Sequence, residues 1–455
     1  SLQKSLKGRP MNQIRISIAS STLLLASLPG VALASGFQLL EQNASGMGQA
    51  YAGSAAVAED ASTVFFNPAG MALLAPGKSH IAVGLDFIRP SAKFSNAGST
   101  SPALIPLSGG TGGDAGDMNY VPHAYIVVPL NERMSFGLGL GAPFGLKTEY
   151  DATWVGRFHA VKSDVKTMNL NPSLSYKVSD QLALGFGLNY QKLKGEFSSA
   201  VDYPAAIYAN PLTRPLTALA KPGSAMLSGD DTAWGYNFGA IFQVSPQTRL
   251  GLSYRSAIKY HLEGTANFSS TGNPITDAIV KLPISPARGG NIYADIKLPD
   301  TLTASVDHHV NDRWDVLADL SWTGWAKIPV LQFNYANDNS IVSATQENWR
   351  NTWRVALGGV YKVNDSWKLK LGTAFDQSPV STTYRTARLP DNDRLWLSCG
   401  GQYQLGKDGA VDFGYTHIFV RKSSIADNGG LSMGLLQGEY KSDVNMFGIQ
   451  YSRGF

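Results

Sequence analysis

Leu182-Ala183-Leu184-Gly185-Phe186-Gly187-Leu188-Asn189-Tyr190 decides the fold. Leu182, Leu184, Phe186, Leu188 and Tyr190 fall on one side of an extended chain, and Ala183, Gly185, Gly187 and Asn189 fall on the other. Large apolar groups facing one way and small or polar groups the other is the period-two pattern of a strand between lipid and a lumen. The polar knot Ser179-Asp180 comes just before this stretch. Asn131-Glu132, Ser245-Pro246-Gln247, Asn311-Asp312, Asn364-Asp365 and Lys407-Asp408-Gly409 repeat that punctuation along the chain. Each knot joins two alternating segments, whose far ends run into longer connections rich in Gly, Ser, Pro and Asn. Short turns at one end and long loops at the other are the layout of a transmembrane β-barrel.

Strands are predicted at about 78–90, 119–130, 133–149, 163–178, 181–198, 232–245 and 248–268. The others are predicted at about 291–310, 313–334, 346–363, 366–376, 393–406, 409–422 and 440–455. The fold class is thus all-β, an antiparallel barrel of about fourteen strands with both ends on the short-turn side. Trp314, Val316, Ala318, Leu320 and Trp322 oppose Asp315, Asp319 and Ser321, with aromatics at the strand ends as interfacial girdles require. A soluble β-sandwich also alternates, but long strands without edge-blocking prolines argue against it.

Composition agrees. The 455 residues are 44% hydrophobic and 16% charged, with 47 Gly and a mean hydropathy of −0.09. A barrel reconciles abundant aromatics with that soluble-looking average, because half of each strand faces a polar interior. Continuous apolarity occurs only at Ile16–Leu28. It is preceded by Lys4, Lys7, Arg9 and Arg15 and followed by Ala32-Leu33-Ala34, the pattern of a secretory signal peptide over 1–34. Met11 reads as an initiator with ten residues ahead of it. Without those 34 residues the chain holds 34 basic and 34 acidic groups, so its charge implies no nucleic-acid partner. Cys399 is the one cysteine, which forbids an intrachain disulfide. It falls in phase with Leu395, Leu397 and Tyr403, as a small lipid-facing residue would.

Residues 35–77 do not alternate. Ser45–Gly53 is rich in small residues, Ala55–Ala61 allows a helical turn or two, and Pro68 opens a second short helix over Ala69–Leu74. This stretch is expected to plug the lumen of the barrel formed by 78–455, where the inward glycines of neighbouring strands leave space. The third strand carries Gly141-Ala142-Pro143-Phe144-Gly145. Proline removes a ladder bond and the flanking glycines permit a bulge, so an opening in the wall is expected there. Alternatively, Pro143 marks only a strand end.

The start Ser35-Gly36-Phe37-Gln38-Leu39, then Gly53 to Asp60-Ala61, then Asn67-Pro68-Ala69, resembles the outer-membrane long-chain fatty-acid transporter (FadL-type) family. Thr167–Asn171 and Phe144-Gly145-Leu146 with Thr148-Glu149 extend the likeness, while Phe447–Phe455 resembles the assembly signal of bacterial outer-membrane proteins, although Arg453 breaks its apolar phase. The resemblance implies a bacterial outer-membrane barrel with an N-terminal hatch, passively taking up long-chain fatty acids or related hydrophobic molecules and releasing them sideways through the wall. A sister branch takes up aromatic hydrocarbons. No cofactor or metal is implied. The implied partners are the cargo, outer-membrane lipid and lipopolysaccharide, and the barrel-assembly machinery, around a monomer.

By the same resemblance the internal ligand site draws on Ser35, Gly36, Phe37, Asn67, Pro68 and Ala69, and the lateral gate on Gly141, Ala142, Pro143, Phe144 and Gly145. Asn67-Pro68 also suits a helix cap on its own terms. Strand phase turns Gln191, Leu193 and Phe197 into the lumen, with Lys192 and Lys194 outside. The family places an arginine near Phe197, so the anchor for a carboxylate is open between Arg255, Arg385 and no anchor at all. Tyr203, Ile207, Tyr208, Leu212 and Leu216 in the third long loop would form an apolar landing groove, or a self-packed lid. Ile275, Ile279, Val280 and Leu282 of the fourth loop would add to it.

No catalytic site is expected. Gly430-Leu431-Ser432-Met433-Gly434 matches a nucleophile-elbow pattern but falls in a loop, where a lipase would need a strand-to-helix turn. His308 and His309 point to opposite faces of one strand and cannot share a metal. A water-filled porin and a surface adhesin are the remaining readings, the former disfavoured by the expected plug.

Overall fold

The computed structural model describes residues 36–455, so the expected signal peptide and Ser35 lie outside the described residues. One antiparallel sheet closes on itself. Its segments are β1 (His80–Asn96), β2 (Asn119–Pro129), β3 (Met134–Gly141), β4 (Gly145–Glu149), β5 (Lys162–Lys177), β6 (Leu182–Val201) and β7 (Gly223–Ser245). There follow β8 (Thr248–Arg255), β9 (Ile258–Phe268), β10 (Gly290–Leu298), β11 (Thr301–Asn311), β12 (Trp314–Thr323), β13 (Val330–Tyr335) and β14 (Ile341–Gln346). The sheet ends with β15 (Thr352–Lys362), β16 (Trp367–Asp376), β17 (Arg394–Leu405), β18 (Gly409–Val420), β19 (Ser423–Asn428) and β20 (Leu435–Gly454). Several segments are pieces of one stave, and together they make a closed barrel of fourteen strands. The seam is β1 against β20, in register from His80↔Gly454 to Asn96↔Gly438.

The alternation is physical. Along β6, Phe186, Leu188 and Tyr190 are exposed on the outside while Gly185, Gly187 and Asn189 are buried within. Tyr190 and Trp234 meet across the strand pair with ring centroids 4.8 Å apart, and Trp367 meets Tyr403 at 4.7 Å. Cys399 is exposed on the outer face.

Several boundaries differ from expectation. β1 runs past Pro90 to Asn96 because β20 begins at Leu435 and pairs with it throughout. β7 begins at Gly223, nine residues early, because β6 and β7 continue as one long hairpin, Val201↔Gly223 being its last pair. The third loop therefore shrinks to residues 202–222, with helix α2 (Tyr203–Ala209) in it. The strands expected at 248–268, 291–310 and 313–334 are each interrupted, at 256–257, 299–300 and 324–329. No helix forms over Ala55–Ala61. Ala58 is left-handed at φ 48°, and the short helix α1 is Thr63–Phe66 instead. Pro68–Leu73 is a 3-10 helix, with the Asn67 side chain accepting from the Ala69 amide as its cap.

Residues 36–79 pack against inward positions of the wall. Close approach dictates the glycines there. A Cβ on Gly239 would lie 1.8 Å from Asn67 Oδ1, and one on Gly251 would lie 2.0 Å from the Ala55 carbonyl oxygen. Polar side chains of the staves fasten the segment. Asp319 accepts from the Gly53 amide (2.9 Å) and the Ser54 hydroxyl (2.6 Å). Arg354 donates to the Ala50 carbonyl (2.7 Å), and Arg249 to those of Ala56 and Val57. Lys370, fully buried, donates to the Ser45 carbonyl and pairs with Glu59 (2.7 Å) and Asp412 (3.1 Å). Lys370 and Lys368, the latter 3.1 Å from Glu59, hold its carboxyl well below the usual range against the cost of burial. A buried network of this kind costs about 3–5 kcal/mol to break, because a lone charge is left behind.

Candidate functional site

The expected defect in the third strand is present and is larger than a kink. β3 stops at Gly141 and β4 resumes at Gly145. β3 pairs with β2 only as far as Ala124↔Leu140, and β4 pairs with β5 alone. Residues 119–123 of β2 thus have β1 on one side and no strand on the other. In a membrane the freed backbone groups must find partners. Thr167 supplies one, its hydroxyl bonding both the Phe144 amide (2.9 Å) and carbonyl (2.7 Å).

Residues 37–42 supply others. The Gly145 amide donates to the Phe37 carbonyl (2.7 Å), and the Leu39 amide donates to the Pro143 carbonyl (2.8 Å). Gln42 clasps Ala142 at both ends, Nε2 to its carbonyl at 2.8 Å and Oε1 from its amide at 3.1 Å. Gly141 leaves room for that amide, since a Cβ there would lie 2.3 Å from Gln42 Oε1. Phe37–Gln42 therefore stands in for the missing stretch of ladder, with Gln38 bridging Phe144.

Above this contact lies an apolar cluster. Phe37 is buried against Phe144 (centroids 5.9 Å), Trp325 (5.1 Å) and Trp349 (5.8 Å). Leu193 and Phe197 join it from β6, together with Ile258, Tyr260 and Phe333. Gly36 abuts the Trp325 ring, and its amide donates to Asp391 at 3.3 Å. Gln191 is also buried and inward. Among the expected internal residues, Gly36 and Phe37 thus lie at this cluster. Asn67, Pro68 and Ala69 do not. Asn67 donates to the carbonyls of Ala55 (2.7 Å), Ala240 (3.1 Å) and Leu252 (3.3 Å), which fastens the segment to the wall.

The cluster residues that periodicity missed are Trp325 and Trp349. Trp325 sits in a 3-10 turn, Trp325–Lys327, that interrupts the ninth stave and carries the indole inward. Gly324 and Pro329 on either side were the available signal. Neither basic residue expected as an anchor is free for one. Arg255 donates to Asn189 and to the Phe65 carbonyl (2.8 Å), and Arg385 to the carbonyls of Asp391 (2.9 Å) and Ser424 (2.6 Å). Two arginines border the cluster: Arg288, over the Tyr335 ring but paired with Asp338, and Arg388, whose guanidinium lies 5.6 Å from the centroid of the Phe197 ring. Its Nη1 donates to the Lys162 carbonyl and the Ser163 hydroxyl, each at 3.1 Å, and more distantly to the Ser198 carbonyl. Its other N–H groups have no bonded partner among the described residues. Burial pulls the Arg388 guanidinium down to about 10 against the charges of Glu347 and Asp427. Burial likewise pushes the Glu347 carboxyl up to about 8, although the Trp349 indole donates to it at 2.8 Å.

In the loops, Tyr203 and Ile207 are fully buried against Val280 and Ala287, and Leu216 packs on them. Tyr208 and Leu212 are exposed, as are Ile275 and Leu282. The loop is thus partly a self-packed lid with an apolar outer surface. Gly430–Gly434 lies between two strands, β19 and β20, so Ser432 is not on a strand-to-helix elbow.

A family model described as outer membrane protein transport protein (OMPP1/FadL/TodX) matches residues 25–455. The long-chain fatty acid transport protein of Salmonella typhi is 30% identical, the alignment covering 96% of this chain and all of that one. Outer membrane protein P1 of Haemophilus influenzae is 29% identical over 98% of this chain and all of its own. The crystal structure of a Pseudomonas aeruginosa FadL homologue superposes with a TM-score of 0.83 at 27% identity, covering 92% of this chain and 99% of that one. The Pseudomonas putida toluene transporter TodX shares the fold, with a TM-score of 0.62 at 18% identity over 87% and 94% of the two chains.

Proposed function

We propose a function on the premise that this chain belongs to the OMPP1/FadL/TodX family of outer membrane transport proteins. It is an outer-membrane β-barrel that transports hydrophobic molecules. The finer reading is passive uptake of long-chain fatty acids with release sideways through the wall. Cargo collects on the apolar outer surface of the loops, enters the cluster around Phe37, and leaves between β2 and β4. Residues 36–77 act as the hatch. Because they fill the lumen, the bore is no route, and the downhill step is partition into lipid at about 0.8 kcal/mol per CH₂.

One observation carries this reading. The backbone of the wall break is completed by Phe37, Leu39 and Gln42, and the same Phe37 stands in the apolar cluster that cargo would occupy. A molecule that displaces Phe37 pulls away the strap across the exit, so binding and opening are one event. Gly145→Arg fills the gap. It is expected to lower uptake at least tenfold while cargo binding and heat-resistant barrel mobility on gels persist. Uptake at the wild-type rate would refute the lateral route.

Arg388 supports the fatty acid as cargo, since its N–H groups beside Phe197 that have no partner among the described residues suit a carboxylate whose alkyl chain lies among the rings. The aromatic lining itself favours a second reading, a neutral aromatic hydrocarbon, and Arg388→Gln separates the two. The reading further has the barrel work as a monomer among lipopolysaccharide and phospholipid, inserted by the assembly machinery. The outward aromatic pairs Tyr190–Trp234 and Trp367–Tyr403 support the place in lipid.

A further inference from the structure

The wall carries a second break, on the far side of β5 and β6 from the first. β7 pairs with β9 as far as Asp230↔Glu263 and with β8 from Asn237↔Arg255 onward. Between those points Thr232–Gly235 pairs with β6 alone. Facing it, Ile258–Leu262 pairs with β10 alone. The rims are tied by side chains of the wall itself. The Tyr236 amide donates to Ser256 Oγ (2.9 Å), the Ser256 amide returns a bond to the Tyr236 carbonyl, and the His261 amide donates to the Asp231 carboxylate (2.8 Å). No backbone bond crosses the four residues between, among the described residues.

The inner flank of this slot is apolar, whereas its outer rim sets Trp234 and Tyr236 of β7 against the exposed Lys259 and His261 of β9. Inside, Ile258, Tyr260 and Ala233 belong to the cluster that holds Phe37. Outside, Phe186, Leu188, Trp234, Gly235 and Tyr236 line a depression on the lipid face. The separation is one side chain thick. A Cβ on Gly235 would lie 2.7 Å from Ile258 Cγ1, so Ile258 fills the notch that a glycine leaves. The first break has the same plan, with Phe144 within and Phe87 and Tyr120 (centroids 5.6 Å) without. It differs in what closes it, a removable strap there and a single rotatable side chain here. Side-chain rotamers change far faster than a segment undocks.

We propose that the β7–β9 slot is a second lateral port, through which slim apolar chains pass between the internal cluster and the outer-leaflet lipid when Ile258 turns aside. It rests on the transport of hydrophobic molecules but not on the gate at Pro143. Gly235→Cys with Ile258→Cys, in a Cys399→Ser background, places two Cβ atoms within disulfide reach of each other. The pair is to be made both alone and together with Gly145→Arg. Uptake of a fluorescent long-chain fatty acid is then measured oxidised and after reduction.

The residual uptake of the Gly145→Arg barrel is expected to fall a further threefold or more on oxidation and to return on reduction. Residual uptake that ignores the cross-link would overturn the port, as would no residual uptake above cells lacking the barrel. If the cysteine pair impairs assembly, Ile258→Trp replaces it, with the same threefold fall expected and an unchanged rate overturning the port. Wild-type uptake by Gly145→Arg alone would count against the first gate, and the oxidised triple variant would then still decide the second.

Discussion

Gln42→Leu tests the strap across the first break. Leucine keeps the bulk of the side chain but deletes both bonds to Ala142, at 2.8 and 3.1 Å. Each is worth about 0.5–1.5 kcal/mol net, so the closed arrangement weakens by about 2 kcal/mol. That multiplies the released population by roughly 30. The informative reporter is not Ala142, whose own partner is gone, but the Gly145 amide, whose acceptor is the untouched Phe37 carbonyl. If residues 37–42 undock as a unit, Gly145 exchanges its proton for deuterium about 30-fold faster, whereas amides in the β1–β20 seam keep their wild-type rates. Acceleration confined to Ala142, with Gly145 unchanged, would refute the idea that the strap moves as one piece.

Four further outcomes are expected. Asn67→Ala removes four hydrogen bonds, two to the wall at Ala240 and Leu252 and two within residues 36–79 at Ala55 and Ala69, and should destabilise that segment by about 2–4 kcal/mol, read as faster protease cleavage within 55–75 at unchanged barrel mobility. Lys370→Met strands Asp412, while Glu59 keeps Lys368, and should lower the melting temperature through a loss of about 3–5 kcal/mol, which Lys370→Met with Asp412→Leu partly restores. Arg388→Gln should weaken fatty-acid binding about tenfold and leave a neutral aromatic unaffected, as measured by quenching of tryptophan fluorescence. The Glu347 carboxyl, raised from its ordinary 4.5 to about 8, gives the sign of a pH effect. Between these values the folded chain holds a proton that the unfolded chain has lost, so stability falls as pH rises through the window and is fully present below it. Glu347→Gln should flatten that slope in pH-dependent melts.

Period and punctuation made the staves legible because lipid accepts only apolar side chains, and the choice repeats at every second residue. Gly141–Gly145 was legible for a different reason, since proline writes a backbone defect directly into the sequence. Trp325 was not. Its turn follows ten residues of regular alternation in β12, and only the inner face shows what the indole meets. Arg388 was hidden because a loop residue has no phase, and its neighbour Phe197 lies on a stave 191 positions away. The break at Ser256-Ala257 left even less trace. Serine and alanine are ordinary strand residues, and the unpaired stretch arises from how three staves meet.

The glycines that admit Asn67 and Ala55 have a consequence for how the molecule comes to exist. The wall is moulded to a body that precedes β1 in the chain, and its first and last staves zip together only once. Entry after that zipping would mean threading some forty residues past the wall positions they pack against. Biogenesis must therefore run in a fixed order, with the early residues gathered in place and the cylinder wrapped about them as about a mandrel. A chain shorn of that mandrel should close slowly, or around the wrong circumference.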